Sequence, residues 1–75
     1  MSDIPSMRSA ELLRRLKRLA TKNAWEIDIR EGANHTKVRL QGRRTVVPRH
    51  SSDINMRTYQ GILKQLGVIE RELEI

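Results

Sequence analysis

The sequence predicts an α+β domain with the order α-β-β-β-α, in which a three-stranded antiparallel sheet carries both helices on one face. Three observations predict it. Apolar residues at helical spacing bracket the chain, a period-two alternation fills the middle, and two turn signals break that alternation into strands.

The first helix is expected from Ser9 to about Asn23. Ser9 is placed as the N-cap with Glu11 in the first turn, and Leu12, Leu16 and Leu19 follow at helical spacing with Leu13 and Ala20 in support. Arg14, Arg15, Lys17, Arg18 and Lys22 cover the remaining surface, either as a solvated face or along a nucleic-acid backbone. Asn23 tolerates the left-handed conformation and is expected to end the helix.

Trp25, Ile27 and Ile29 then alternate with Glu26, Asp28 and Arg30, the pattern of a half-buried strand. Glu31 and Gly32 supply a turn. A second strand is expected over residues 34–40, and Gln41-Gly42 turns the chain into a third strand over residues 43–48. Pro48 cannot donate to a sheet ladder, so that strand should end there or lie at an edge. His50 opens the exit loop. The second helix is expected to be capped between Asp53 and Asn55, to bury Met56, Tyr59, Ile62, Leu63 and Leu66, and to close at Gly67. Gly61 inside it costs about 1 kcal/mol relative to alanine and suggests a close approach of helix and sheet.

Residues 9–67 therefore form the folded unit, with residues 1–8 and 68–75 as appendages. In the tail, Ile69, Arg71, Leu73 and Ile75 alternate with three glutamates, which suits an extended edge segment and a short amphipathic helix equally.

Composition narrows the function. A chain of 75 residues is one small domain, hiding only about 60% of its unfolded surface. It has no cysteine, hence no disulfide and no thiolate chemistry. The opening MSDIPSM lacks a basic start followed by an apolar run, and no stretch approaches the roughly 20 apolar residues of a membrane span. A cytoplasmic protein is expected. Lys and Arg number 15 against nine Asp and Glu, and three of those acids lie in the last six residues, so the chain up to Gly67 is strongly cationic. A polyanion is the natural partner for such a surface, since bound phosphates release counterions. Only Trp25 and Tyr59 are aromatic, too few for a base-stacking platform.

The chemistry concentrates in residues 32–50, GANHTKVRLQGRRTVVPRH. Alternation puts Thr36, Val38 and Leu40 on one face and His35, Lys37 and Arg39 on the other, so a titratable imidazole stands in a row of phosphate-binding charges. There is no Gly-rich phosphate loop, no Ser-His-Asp arrangement and no metal-ligand spacing, so neither metal nor cofactor is expected. A histidine can exchange a proton near neutral pH, and RNA carries its own nucleophile, the 2′-hydroxyl. One imidazole among cations is sufficient in principle for RNA cleavage, although a lone histidine is more often a surface or hydrogen-bonding residue.

Asn23-Ala24-Trp25, Gly32-Ala33-Asn34-His35, the hairpin from Gly42 to His50 ending in Pro-Arg-His, and Gly61 to Gly67 (GILKQLG) together resemble the HicA family of mRNA interferase toxins, over roughly residues 12–67. Many members carry Gly-Ser-His, with histidine where this chain has Asn34; Ala24 and Ser51 likewise replace a common glycine and proline. The resemblance implies a double-stranded-RNA-binding-like fold, metal-independent mRNA cleavage, and neutralisation by a HicB-like antitoxin. It makes His35 the general base or acid-base group, with Lys37, Arg39, Arg43, Arg44 and Arg49 binding phosphate. His50 is assigned either the opposite proton transfer or ordering of the exit loop. The alternatives are a non-catalytic basic RNA-binding module that uses the same face, and an interaction protein that docks through its acidic tail.

Overall fold

In a computed structural model, residues 8–49 and 54–73 are described. The elements follow the order α1 (Ser9–Asn23), β1 (Ile27–Glu31), β2 (His35–Leu40), β3 (Arg43–Pro48), α2 (Met56–Leu66) and α3 (Glu70–Leu73). The strands form one antiparallel sheet in the order β1-β2-β3, so β3 and its terminal Pro48 do lie at an edge.

Leu12, Leu16, Leu19 and Ala20 of α1 share a single core with Tyr59, Ile62, Leu63 and Leu66 of α2 and with Val38, Leu40 and Val47 of the sheet. Trp25, Ile27 and Ile29 pack against it half-buried. Both long helices thus cover one sheet face, because period-two alternation in the strands and 3.6-residue spacing in the helices present matching apolar surfaces. The buried hydroxyl of Thr36 stands in β2 on this same side.

Local chemistry differs from expectation at both ends of α1. Ser9 is not the cap. Arg8 takes that position with no side-chain hydrogen bond, while the Ser9 hydroxyl donates to the Pro48 carbonyl at 2.6 Å and ties the helix start to the end of β3. A long-range acceptor has displaced the local one. At the other end Asn23 is still helical, its amide donating to the Leu19 carbonyl at 3.0 Å, and Ala24 adopts the left-handed conformation at φ 58°. The Glu11 carboxyl accepts from Arg15 at 2.9 Å and from Arg14, and these hydrogen bonds, Arg15 first, hold it below the usual carboxylate range.

The hairpin turn uses positive φ at both Gln41 (54°) and Gly42 (81°), the type I′ geometry whose twist matches the flanking strands. Asn55 caps α2 by accepting from the Thr58 amide at 2.8 Å, and Gly67 ends it at φ 73°. Gly61 does not face the sheet. It is exposed, with nothing within 4 Å of where a Cβ would stand, so no close approach accounts for it.

The core extends past Gly67. Val68 and Leu73 are 5% and 3% exposed, and α3 packs against α1. Of the two forms open to the tail, residues 70–73 take the helical one, because Leu73 finds apolar cover beside Leu19 only when the chain turns back. Among the described residues, no helix is long and apolar enough to cross a membrane.

Candidate active site

The open face of the sheet is built by register. His35, Lys37 and Arg39 are exposed and alternate with buried Thr36, Val38 and Leu40. Residues directly opposite one another in an antiparallel pair project to the same side, so Pro48, Val46 and Arg44 from β3 join His35, Lys37 and Arg39 respectively. From β1, Arg30 stands opposite Lys37 and Asp28 opposite Arg39. The face therefore presents one imidazole, four cations and one carboxylate.

Their charges are poorly compensated. Arg30 reaches Asp28 at 3.3 Å with both side chains exposed, an ion pair of little energetic weight. Among the described residues, no acidic group pairs with Lys37, Arg39 or Arg44, and no hydrogen bond holds the His35 imidazole. Arg39 and Arg44 face each other across the β2–β3 ladder. Like charges in that position destabilise a sheet unless an anion intervenes.

These side chains border a groove of about 760 Å³. Its lining includes Lys37 and Arg39 of β2, Arg44 of β3, and Thr58, Gly61 and Gln65 of α2, with the buried Val38, Thr45 and Ile62 beneath. The buried Thr45 hydroxyl donates to the Gln65 side-chain carbonyl at 2.5 Å, linking α2 to β3 along this border. His35 lies outside the groove lining, two residues before Lys37 on β2 and on the same face.

The structure sorts the expected phosphate-binding residues into two groups. Lys37, Arg39 and Arg44 share the face of His35. Arg43 does not: it stands opposite Leu40, on the helix-covered side, with its guanidinium against Gly67 at the end of α2. Arg49 is engaged at the β1–β2 turn, where its Nη1 donates to the Gly32 carbonyl at 2.6 Å and its Nη2 contacts Glu31 Oε1 at 3.2 Å. His50 lies outside the described residues. Arg30 was not singled out from the sequence, yet its alternation with Ile29 and the hairpin register place it beside Lys37. Among the described residues, no group of three His, Cys, Asp or Glu could hold a metal ion.

A three-stranded sheet, buried on one side by two helices and cationic on the other around an exposed histidine, defines a small basic α+β domain. The family model described as the HicA toxin of bacterial toxin–antitoxin systems matches residues 13–68, and the chain belongs to that family. It is 49% identical over 43 residues, 56% of this chain and 74% of the relative, to proteins of Escherichia coli O157:H7 and K12 named as a probable mRNA interferase HicA and a probable mRNA interferase toxin HicA. A Photorhabdus laumondii protein named probable mRNA interferase HicA 1 is 41% identical over 46 residues, 60% of this chain and 81% of the relative. No solved structure matches the chain significantly.

Proposed function

We propose that this chain is the toxin of a type II toxin–antitoxin pair, an endoribonuclease that cleaves mRNA without a metal and is neutralised by a HicB-like antitoxin. The observation that carries this reading is the exposed row of His35, Lys37 and Arg39 with Arg44 beside it. Family membership and the mRNA interferase names of the relatives support the same class of activity.

In the proposed reaction Lys37, Arg39 and Arg44 hold phosphates of the RNA strand and offset the charge that builds on the phosphorane. His35 accepts the proton of the 2′-hydroxyl as its oxygen attacks phosphorus. The 2′-O–P bond forms and the P–O5′ bond breaks, leaving a 2′,3′-cyclic phosphate and a 5′-oxygen that takes a proton from solvent or from His50. No metal-bound water is needed, because the nucleophile belongs to the substrate. The antitoxin is proposed to cover the same face with acidic and apolar groups, so that substrate and partner compete.

Incubating purified RNA with the protein in excess EDTA tests the reading directly. Cleavage should persist, the products should end in a 2′,3′-cyclic phosphate or its hydrolysis product, and DNA of the same sequence should survive. Loss of cutting in chelator with rescue by magnesium would overturn the mechanism, and RNA binding without any cutting would leave a non-catalytic binding module in its place.

A further inference from the structure

We propose that Arg49 is a positioning residue for His35: its guanidinium clamps the turn between β1 and β2 and so fixes the backbone from which the imidazole projects. This rests on the reading of His35 as the catalytic group.

Arg49 follows Pro48, and Pro48 stands opposite His35 in the sheet register. The Arg49 backbone amide extends the ladder by one step, donating to the Asn34 carbonyl at 3.1 Å. Its side chain then turns back over the adjoining turn. Nη1 donates to the Gly32 carbonyl at 2.6 Å and Nη2 to the Glu31 carboxylate at 3.2 Å. Gly32 in turn donates its amide to the His35 carbonyl at 2.8 Å, and a Cβ on Gly32 would stand only 3.0 Å from that same oxygen. A chain of contacts thus runs from the guanidinium through Gly32 to the main chain of His35.

The geometry suits arginine and not lysine, because a rigid fork reaches two acceptors at once where an ammonium is a single point of charge. It also separates Arg49 from the phosphate-binding set. The Arg49 side chain is 32% exposed and already engaged, whereas Arg30 on the open face is 80% exposed. Two of its five N–H donors are taken, and the Glu31 carboxylate beside it repels an incoming phosphate. Catalytic groups act well only when held near their productive geometry, and support from neighbouring residues supplies that hold.

The test compares Arg49→Ala, Arg49→Lys and Glu31→Ala in three measurements: steady-state cleavage of a short RNA, affinity for the same RNA made uncleavable by 2′-O-methylation, and backbone amide exchange at Gly32. Arg49→Ala should lower kcat about 10-fold and leave KM and analogue affinity within about 2-fold, since misplacement costs rate more than binding. Gly32 exchange should accelerate, and Arg49→Lys should not restore kcat. Glu31→Ala should lower kcat in the same direction, and adding it to Arg49→Ala should cost less than the product of the single effects. A phosphate contact gives the opposite pattern: KM rises with kcat kept, lysine restores binding, and Glu31→Ala leaves kcat unchanged while tightening RNA. That pattern, or unchanged Gly32 exchange in Arg49→Ala, would overturn the clamp. If Arg49→Ala fails to fold by circular dichroism, the exposed Glu31→Ala variant carries the test through the sign of its kcat change. Should His35→Ala cleave at the parental rate, the catalytic reading fails on its own, and Gly32 exchange still decides whether the clamp exists.

Discussion

At the scale of the residue, the proposed reaction gives different work to neighbouring side chains of the open face. His35 is exposed at the end of the cationic row, where an RNA strand lying across Lys37 and Arg39 would bring a 2′-hydroxyl to it. His35→Ala should cut turnover by about 10²- to 10⁴-fold and leave RNA affinity nearly unchanged, because proton transfer acts in the transition state and phosphate contacts act throughout. Rate and affinity measured on a variant with native circular dichroism check this; cleavage at the parental rate would remove the assignment. His35, Lys37 and Arg39 were legible in the sequence because a strand alternates with period two and needs no tertiary information. Arg43, named with the phosphate-binding residues, stands on the other side, and that placement was also present in the sequence. A two-residue turn at Gln41-Gly42 sets Arg43 opposite Leu40, and residues opposite one another share a face, so a buried Leu40 already sends Arg43 to the helix side. Arg49 was not legible at all, since its contacts to Gly32 and Glu31 exist only once the two hairpins have closed.

At the scale of the element, the tail is the part of the fold that sequence left open. A four-residue helix offers too few positions to separate period two from period 3.6, so composition alone could not choose. Packing against α1 chooses. Leu73 is 3% exposed there, and α3 lies beyond the matched span of residues 13–68. Leu73→Ala should destabilise the protein by about 2–4 kcal/mol through lost burial and the cavity left behind. For so small a domain that is a large part of the total stability. Urea unfolding measures it, and a change below about 0.5 kcal/mol, the range of ordinary surface substitutions, would mean that α3 is not part of the cooperative unit. Gly61 illustrates the opposite failure. A glycine within a helix suggested close packing, but Gly61 borders the groove with no atom within 4 Å of where its Cβ would stand.

At the scale of the whole molecule, net charge is unevenly used. The sequence carries a formal charge of +6, and α3 packs against α1 on the side away from the open face, which leaves Asp28, opposite Arg39, as the one carboxylate that the strand register sets among Arg30, Lys37, Arg39 and Arg44. A protein partner of ordinary size buries about 1,200–2,000 Å² in total. About half of that falls on each protein, some 600–1,000 Å² of this chain's 5503 Å², enough for a partner centred on the open face to cover His35, Lys37, Arg39 and Arg44. The pairing of Arg39 with Arg44 across the ladder then has a consequence for folding itself. Two like charges set opposite one another by strand register oppose the native state, so this protein should become more stable as ionic strength rises, the reverse of a fold held by surface ion pairs. Multivalent anions should raise the melting temperature more than chloride at equal ionic strength, by binding the native state alone. Arg44→Gln should therefore melt higher than the parent in dilute buffer while binding RNA and antitoxin more weakly, and the two melting curves should converge as salt is added. A variant that melts lower at every salt concentration would mean that the pair is not strained. The electrostatic tension that makes the face ready for a polyanion is thus readable in a melting curve, with neither RNA nor antitoxin present.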